Sequence, residues 1–136
     1  MKKNKITRIL FFLYFMLLIW LVVFKLNFSI SDIHKVRDIN LIPFHYENVM
    51  EGDIPLFEAL LNVIVFVPFG FLLHKAFYWK FLKEILLIAG ISFAFEVTQY
   101  VLAIGVTDIT DFITNILGGI IGIGLSILLL KRKNKV

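Results

Sequence analysis

ILLIAGISFAFEVTQYVLAI, from Ile85 to Ile104, is an apolar run of about 20 residues with a single formal charge, Glu96. At 1.5 Å rise per residue a helix of that length measures ~30 Å, the thickness of a bilayer's hydrocarbon core. Working outward, three further charge-free runs lie at Ile9 to Phe24, Ala59 to Leu73 and Phe112 to Leu130. They predict helices over residues 7–26, 56–74, 84–104 and 110–130, within one domain spanning 1–136. The expected fold is an all-α membrane protein, a four-helix transmembrane bundle. Pro68 and Gly70 interrupt the second run, and a bundle tolerates such a pair as a kink because neighbouring groups can satisfy the freed carbonyl.

Composition points the same way. Of 136 residues, 60% are hydrophobic and 18% charged, with a mean hydropathy of +0.90. A soluble domain has about 25% charged residues, so this chain cannot cover its apolar residues with its own polar surface. Cysteine is absent, which excludes a disulfide, a thiolate metal site and a cysteine nucleophile. His34, His45 and His74 have no metal-ligand spacing, so neither a metal nor a cofactor is expected. No nucleophile elbow and no phosphate-binding glycine loop is present. The first run follows the basic residues Lys2, Lys3, Lys5 and Arg8 as a signal peptide would. However, it is long for one, and Ser29-Ile-Ser31 is a poor cleavage site, so a retained helix is expected.

The basic residues fix an orientation. All fourteen Lys and Arg except Lys25, Lys35 and Arg37 fall in three segments on one side of the expected bundle: the N-terminal tail, the turn with Lys75, Lys80 and Lys83, and the C-terminal end. By the positive-inside bias both termini are cytoplasmic. The net charge of +4 is then a set of anchors at an anionic leaflet, and no nucleic-acid partner is implied. An extracytoplasmic loop of about 30 residues, from Asn27 to Pro55, joins helices one and two. Short loops make helices two and three, and three and four, adjacent antiparallel neighbours.

A charge at the centre of such a helix costs about 2.5–3.5 kcal/mol, so each buried polar group needs a reason. Ser92, Glu96 and Gln99, spaced i, i+4, i+7, share one face of the third helix, and Glu96 lies about 16 Å along it from Ile85, at or just beyond the midplane. Asp108, Asp111 and Asn115, spaced i, i+3, i+7, share a face at the outer end of the fourth. Asn62 and Lys25 sit at the outer ends of the second and first. The inner half offers only Ser126 on helix four, and nothing polar between Ile85 and Ile91 on helix three. Polar groups collected at one depth point to a site opening outward; the plainer reading is interhelical glue. Glu96 requires neutralisation or a partner, for which Lys25 and Arg37 are the candidates. A guanidinium at Arg37 held near Glu96, Asp108 or Asp111 would form charge-assisted, bidentate bonds that lysine cannot copy.

Other features read as structure. Gly118, Gly119, Gly122 and Gly124 form a small-residue face for close helix packing. The run FFLYF reads as lipid-facing filler, and Trp79 as an interfacial residue of the cytoplasmic belt.

Four stretches occur in an order that resembles the VanZ-like family of small bacterial membrane proteins: RDINLIPF at Arg37 to Phe44, NVIVFVPFGFLL at Asn62 to Leu73, SFAFEVTQ at Ser92 to Gln99, and DITDFITNILGGIIG at Asp108 to Gly122. Relatives often carry an arginine shortly before the aspartates of the last stretch, where this chain has Gly105-Val106-Thr107. The family takes its name from a protein conferring low-level resistance to the glycopeptide teicoplanin. The resemblance implies a multi-pass protein of the bacterial cytoplasmic membrane, part of the cell envelope and tied to glycopeptide resistance. Its partner would be an amphiphilic ligand at the outer leaflet: a membrane lipid, a cell-wall lipid or a lipoglycopeptide. The ligand-binding residues it suggests are Arg37, Asn40, Asn62, Glu96, Gln99, Asp108, Asp111 and Asn115. Two alternatives stay open: an intramembrane enzyme acting on a lipid headgroup, with Glu96 as acid or base and Asp108 or Asp111 beside it, and a structural or partner subunit.

Overall fold

A computed structural model describes residues 2–23, 36–44 and 53–133. They form α1 (Lys2–Val23), β1 (Val36–Asn40), α2 (Asp53–Phe77), α3 (Phe81–Leu102), β2 (Ile104–Asp108) and α4 (Ile109–Lys133). Each helix holds a stretch long and apolar enough to cross a membrane: Lys5–Val23, Leu56–Phe77, Phe81–Leu102 and Ile109–Lys131. The protein is an all-α membrane bundle of four helices, with one small strand pair at its end. The bundle is apolar inside and out, as a lipid solvent permits. Phe66, Phe69, Leu18, Leu73, Ile88 and Ile123 are wholly buried, while Leu13, Met16, Leu86 and Leu128 face outward. The FFLYF run serves both sides: Phe11 and Phe15 stack on Phe69 at 5.3 and 5.7 Å, and Phe12 stays exposed.

The glycines decide which helices pair. Along α4, Gly118 and Gly122 lie directly against the backbone carbonyls of Val63 and Val67, and Gly70 of α2 lies against the carbonyl of Gly119. Small residues let two backbones approach this closely, and without a hydrophobic driving force in lipid such packing is what joins helices. The most extensive interface is therefore between α2 and α4, which run parallel. The sequence reading instead makes α2 and α3 neighbours because their loop is short. They do meet at the turn Tyr78–Lys80, but α3 lays its length on α4, with Ser92 against Asn115 and Ile88 against Gly119. Helix α2 runs through Pro68 without a break from Asp53 to Phe77. Pro68 has no N–H for the carbonyl of Ile64, and the Tyr14 hydroxyl donates to the next carbonyl, Val65, at 2.7 Å.

The start of α1 meets the end of α2, where Arg8 Nε donates to the Ala76 carbonyl at 3.3 Å and the guanidinium lies 5.5 Å from the Phe77 ring centroid. With Lys75, Lys80, Lys83 and Lys131 this forms a basic end of the bundle. Trp79 belongs to it, stacked on Phe77 and covered by the Lys83 ammonium 4.1 Å from its ring centroid.

The opposite end holds the strand pair, which periodicity alone did not reveal. The residue pattern places 36–40 in a loop and carries the third helix to 104, whereas 36–40 form β1 and α3 stops at Leu102. Ala103 takes the left-handed conformation (φ 53°, ψ 42°), its N–H turned to the carbonyls of Gln99 and Tyr100. This cap usually falls to glycine because a Cβ there costs roughly 1–2 kcal/mol. The chain then runs back along α3: the Thr107 hydroxyl donates to the Glu96 carbonyl at 3.2 Å, six residues, or ~9 Å, short of the helix end. Extended backbone alongside a membrane helix needs partners for its polar groups. Here β1 supplies them by pairing in parallel with β2, Val36 opposite Ile104 through Asn40 opposite Asp108, after a crossover through α2 and α3.

Candidate functional site

The site is built where β2 delivers the chain into α4. Glu96 is 4% exposed, and its Oε2 accepts the backbone N–H of Asp108 at 3.0 Å. Asp108 is the residue before the helix, and its Oδ1 accepts the N–H of Thr110 at 2.8 Å, an N-cap bond that satisfies one of the donors every helix start leaves open. The other oxygen, Oδ2, accepts Asn40 Nδ2 at 3.2 Å. Thr110 is buried, and its hydroxyl accepts the N–H of Phe44 at 3.0 Å. One network thus joins α3, the start of α4 and the segment following β1. Asp111 is buried in the first turn of α4, where the helix dipole favours a carboxylate.

One turn toward the basic end, Asn115 Nδ2 donates to Ser92 Oγ at 2.9 Å, both side chains fully buried. On the other side of Glu96, Gln99 Nε2 donates to the Val22 carbonyl at 2.9 Å and so fastens the end of α1. Each amide thereby meets the interhelical reading. Yet Gln99 Oε1 and Asn115 Oδ1 remain buried without a hydrogen-bond partner among the described residues. A buried acceptor left so costs about 1–3 kcal/mol.

The structure brings together Asn40, Glu96 and Asp108, with Asn115 and Gln99 a turn to either side. Asn62 is half-buried on α2. Arg37 pairs through its backbone with Gly105, while its side chain, and all of Lys25, lie outside the described residues. Among the described residues no three His, Asp or Glu side chains gather as metal ligands would.

The basic end carries a polar group that the sequence reading missed. Glu84 is fully buried, accepts the Trp79 N–H at 3.1 Å, and lies 2.9 Å from His74 Nδ1. The half of the bundle expected to hold little besides Ser126 thus contains a carboxylate and an imidazole that lock the α2–α3 turn. A signal existed: Glu84 continues the stripe of Ser92 and Glu96 at i−8 and i−12, but its position beside Lys83 reads as surface.

Comparison with known proteins agrees with this architecture. The VanZ/LLP1 family model matches residues 11–130. Protein VanZ of Enterococcus faecium is 41% identical over 133 residues, covering 96% of this chain and 79% of that protein. No solved structure matches. With the match running from the first helix to the end of the fourth, the chain belongs to the VanZ/LLP1 family.

Proposed function

We propose that this multi-pass protein sits in the bacterial cytoplasmic membrane with its basic end inside, and binds or alters the surroundings of an amphiphilic ligand at the outer leaflet. A cell-wall lipid or a lipoglycopeptide is the ligand favoured by kinship with VanZ. The observation that carries this reading is the buried Glu96, tied to the backbone of β2 beside two buried amide oxygens that lack donors among the described residues. A hydroxyl-rich or amine-bearing headgroup matches those acceptors. Arg37, the one arginine of β1, is the proposed counter-charge for the acidic cluster.

Among the acids, Asp108 has both oxygens engaged in structure, one as helix cap and one on Asn40. The enzyme reading, with Glu96 as acid or base and Asp108 or Asp111 beside it, ranks second because such chemistry needs two carboxyls of divided protonation in one pocket.

The test of function is deletion of the gene in its host, with membrane lipids and cell-wall precursors profiled and glycopeptide susceptibility measured in parallel. A changed lipid or precursor profile, or greater sensitivity to lipid-tailed glycopeptides, is expected; an unchanged profile with unchanged susceptibility overturns the reading. Orientation has its own test. A reporter that works only outside the cytoplasm should be active when fused near Glu51 and silent at either terminus, and the reverse pattern would move the site to the inner leaflet.

A further inference from the structure

The segment that closes the site ends in an apolar tip. After Asn40 the chain turns through Leu41, Ile42, Pro43 and Phe44, the last held at φ 55° with its N–H on the Thr110 hydroxyl. Leu41 is 72%, Ile42 59% and Phe44 56% exposed, and Ile39 is 50% exposed just before them. Apolar side chains side by side on a loop need a cover.

Depth identifies the cover. Phe44 is bonded to Thr110, and from Thr110 to Lys131 of the basic end α4 runs 21 residues, ~32 Å, against a hydrocarbon core of ~30 Å. The tip therefore lies level with the far boundary of the core. α3 continues past Glu96 by the ~9 Å that β2 retraces, with Val97 exposed beside Glu96 and Val101 and Leu102 exposed at the end. On α2, Leu56 lies seven residues before Val63, which packs on Gly118; counting seven back from Gly118 reaches Asp111, so the exposed Leu56 and Phe57 fall at the same level. The tip continues a lipid-facing belt. This measure also moves Glu96 outward from the midplane position counted from Ile85.

We propose that residues Ile39–Phe44 are a membrane-dipping element, with Leu41, Ile42 and Phe44 inserted at the boundary between headgroups and acyl chains, so that the mouth of the Glu96 site is bordered by lipid and not by water. Insertion of a few large apolar side chains at that boundary is favourable and requires no span. The inference rests on the four spans and stands whatever ligand the site takes.

The absence of native cysteine makes the test direct. The full chain is prepared as Leu41→Cys, Ile42→Cys and Phe44→Cys, with Lys80→Cys as the aqueous control and Leu13→Cys as the acyl-chain control. Each is labelled with NBD and reconstituted in phosphatidylcholine–phosphatidylglycerol vesicles with iodide on both faces. Tip labels should emit to the blue of the Lys80 label, lose iodide quenching, and be quenched by lipids spin-labelled near the headgroup more than by lipids labelled near the chain end. The Leu13 label should show the opposite lipid order. Iodide quenching equal to that at Lys80 would place the tip in water and overturn the proposal. Protection from iodide and from spin-labelled lipid alike would also overturn it, by showing a protein cover such as a second copy.

Discussion

A Glu96→Gln protein should insert and accumulate as the wild type does, yet fail to restore the lipid profile or the glycopeptide susceptibility of a deletion strain. The side chain keeps its volume, and the amide oxygen of glutamine can accept the Asp108 N–H that Glu96 Oε2 now accepts at 3.0 Å, so the passage from β2 into α4 is preserved. What is lost is the charge and the capacity to exchange a proton. A ligand's hydrogen bond to a charged group is worth about 1.5–3 kcal/mol, and each 1.4 kcal/mol is a factor of ten, so the expected loss is about tenfold or more. Glu96→Asp separates the two properties: it keeps the charge but is one methylene short of the Asp108 amide, and should be impaired in thermal stability as well as in function. Activity retained by Glu96→Gln at matched membrane levels would assign Glu96 to packing.

The distinction matters because the sequence announces Glu96 without saying what holds it. The four spans are legible in the residues themselves, since charge-free runs of this length have one economical solution in lipid. That Ser92, Glu96 and Gln99 share one face follows from helical spacing, whereas the depth of Glu96 depends on where the chain is tied to β2. The strand pair does not follow from spacing, because Val36–Asn40 and Ile104–Asp108 are short segments that form a sheet only by meeting each other across two helices. The parallel α2–α4 interface is half legible: the stripe of Gly118 and Gly122 predicts a close partner, but choosing α2 over α3 depends on Val63 and Val67 presenting carbonyls at the matching height. Asp108 shows a similar ambiguity. Spacing placed it on a helix face with Asp111 and Asn115, whereas it caps the helix from outside, leaving those two to continue inward.

That interface gives the largest expected effect on stability. A Cβ added at Gly122 would overlap the carbonyl oxygen of Val67 and lie 2.7 Å from the nitrogen of Phe71; one at Gly118 would overlap the carbonyl oxygen of Val63 and lie 2.8 Å from Phe66 Cβ. The oxygens and the nitrogen are backbone atoms of α2, so no change of rotamer removes the conflict and the two helices must move apart. Overpacking of this kind costs about 1–3 kcal/mol at a site that can relax, and more where a whole helix must shift. Gly122→Ala and Gly118→Ala should therefore each lower the detergent melting temperature, and the double variant should fail to accumulate. Gly124 and Gly90 provide the contrast, because a Cβ at either meets nothing within 4 Å. Alanine there adds about 1 kcal/mol of helix propensity without a clash, so Gly124→Ala should be neutral or stabilising. Gly119 is intermediate: its conflict is with the buried Ile88 side chain, 2.6 Å from Cδ1 and 2.9 Å from Cγ2, so relief takes a shift of that one side chain and not of a helix backbone. The expected order of melting temperature is Gly124→Ala highest, then Gly119→Ala, then Gly122→Ala. If Gly122→Ala melts with Gly124→Ala, α2 and α4 do not touch through their backbones, and the route by which α4 is held level with Glu96 would have to be sought in the Ser92–Asn115 contact instead.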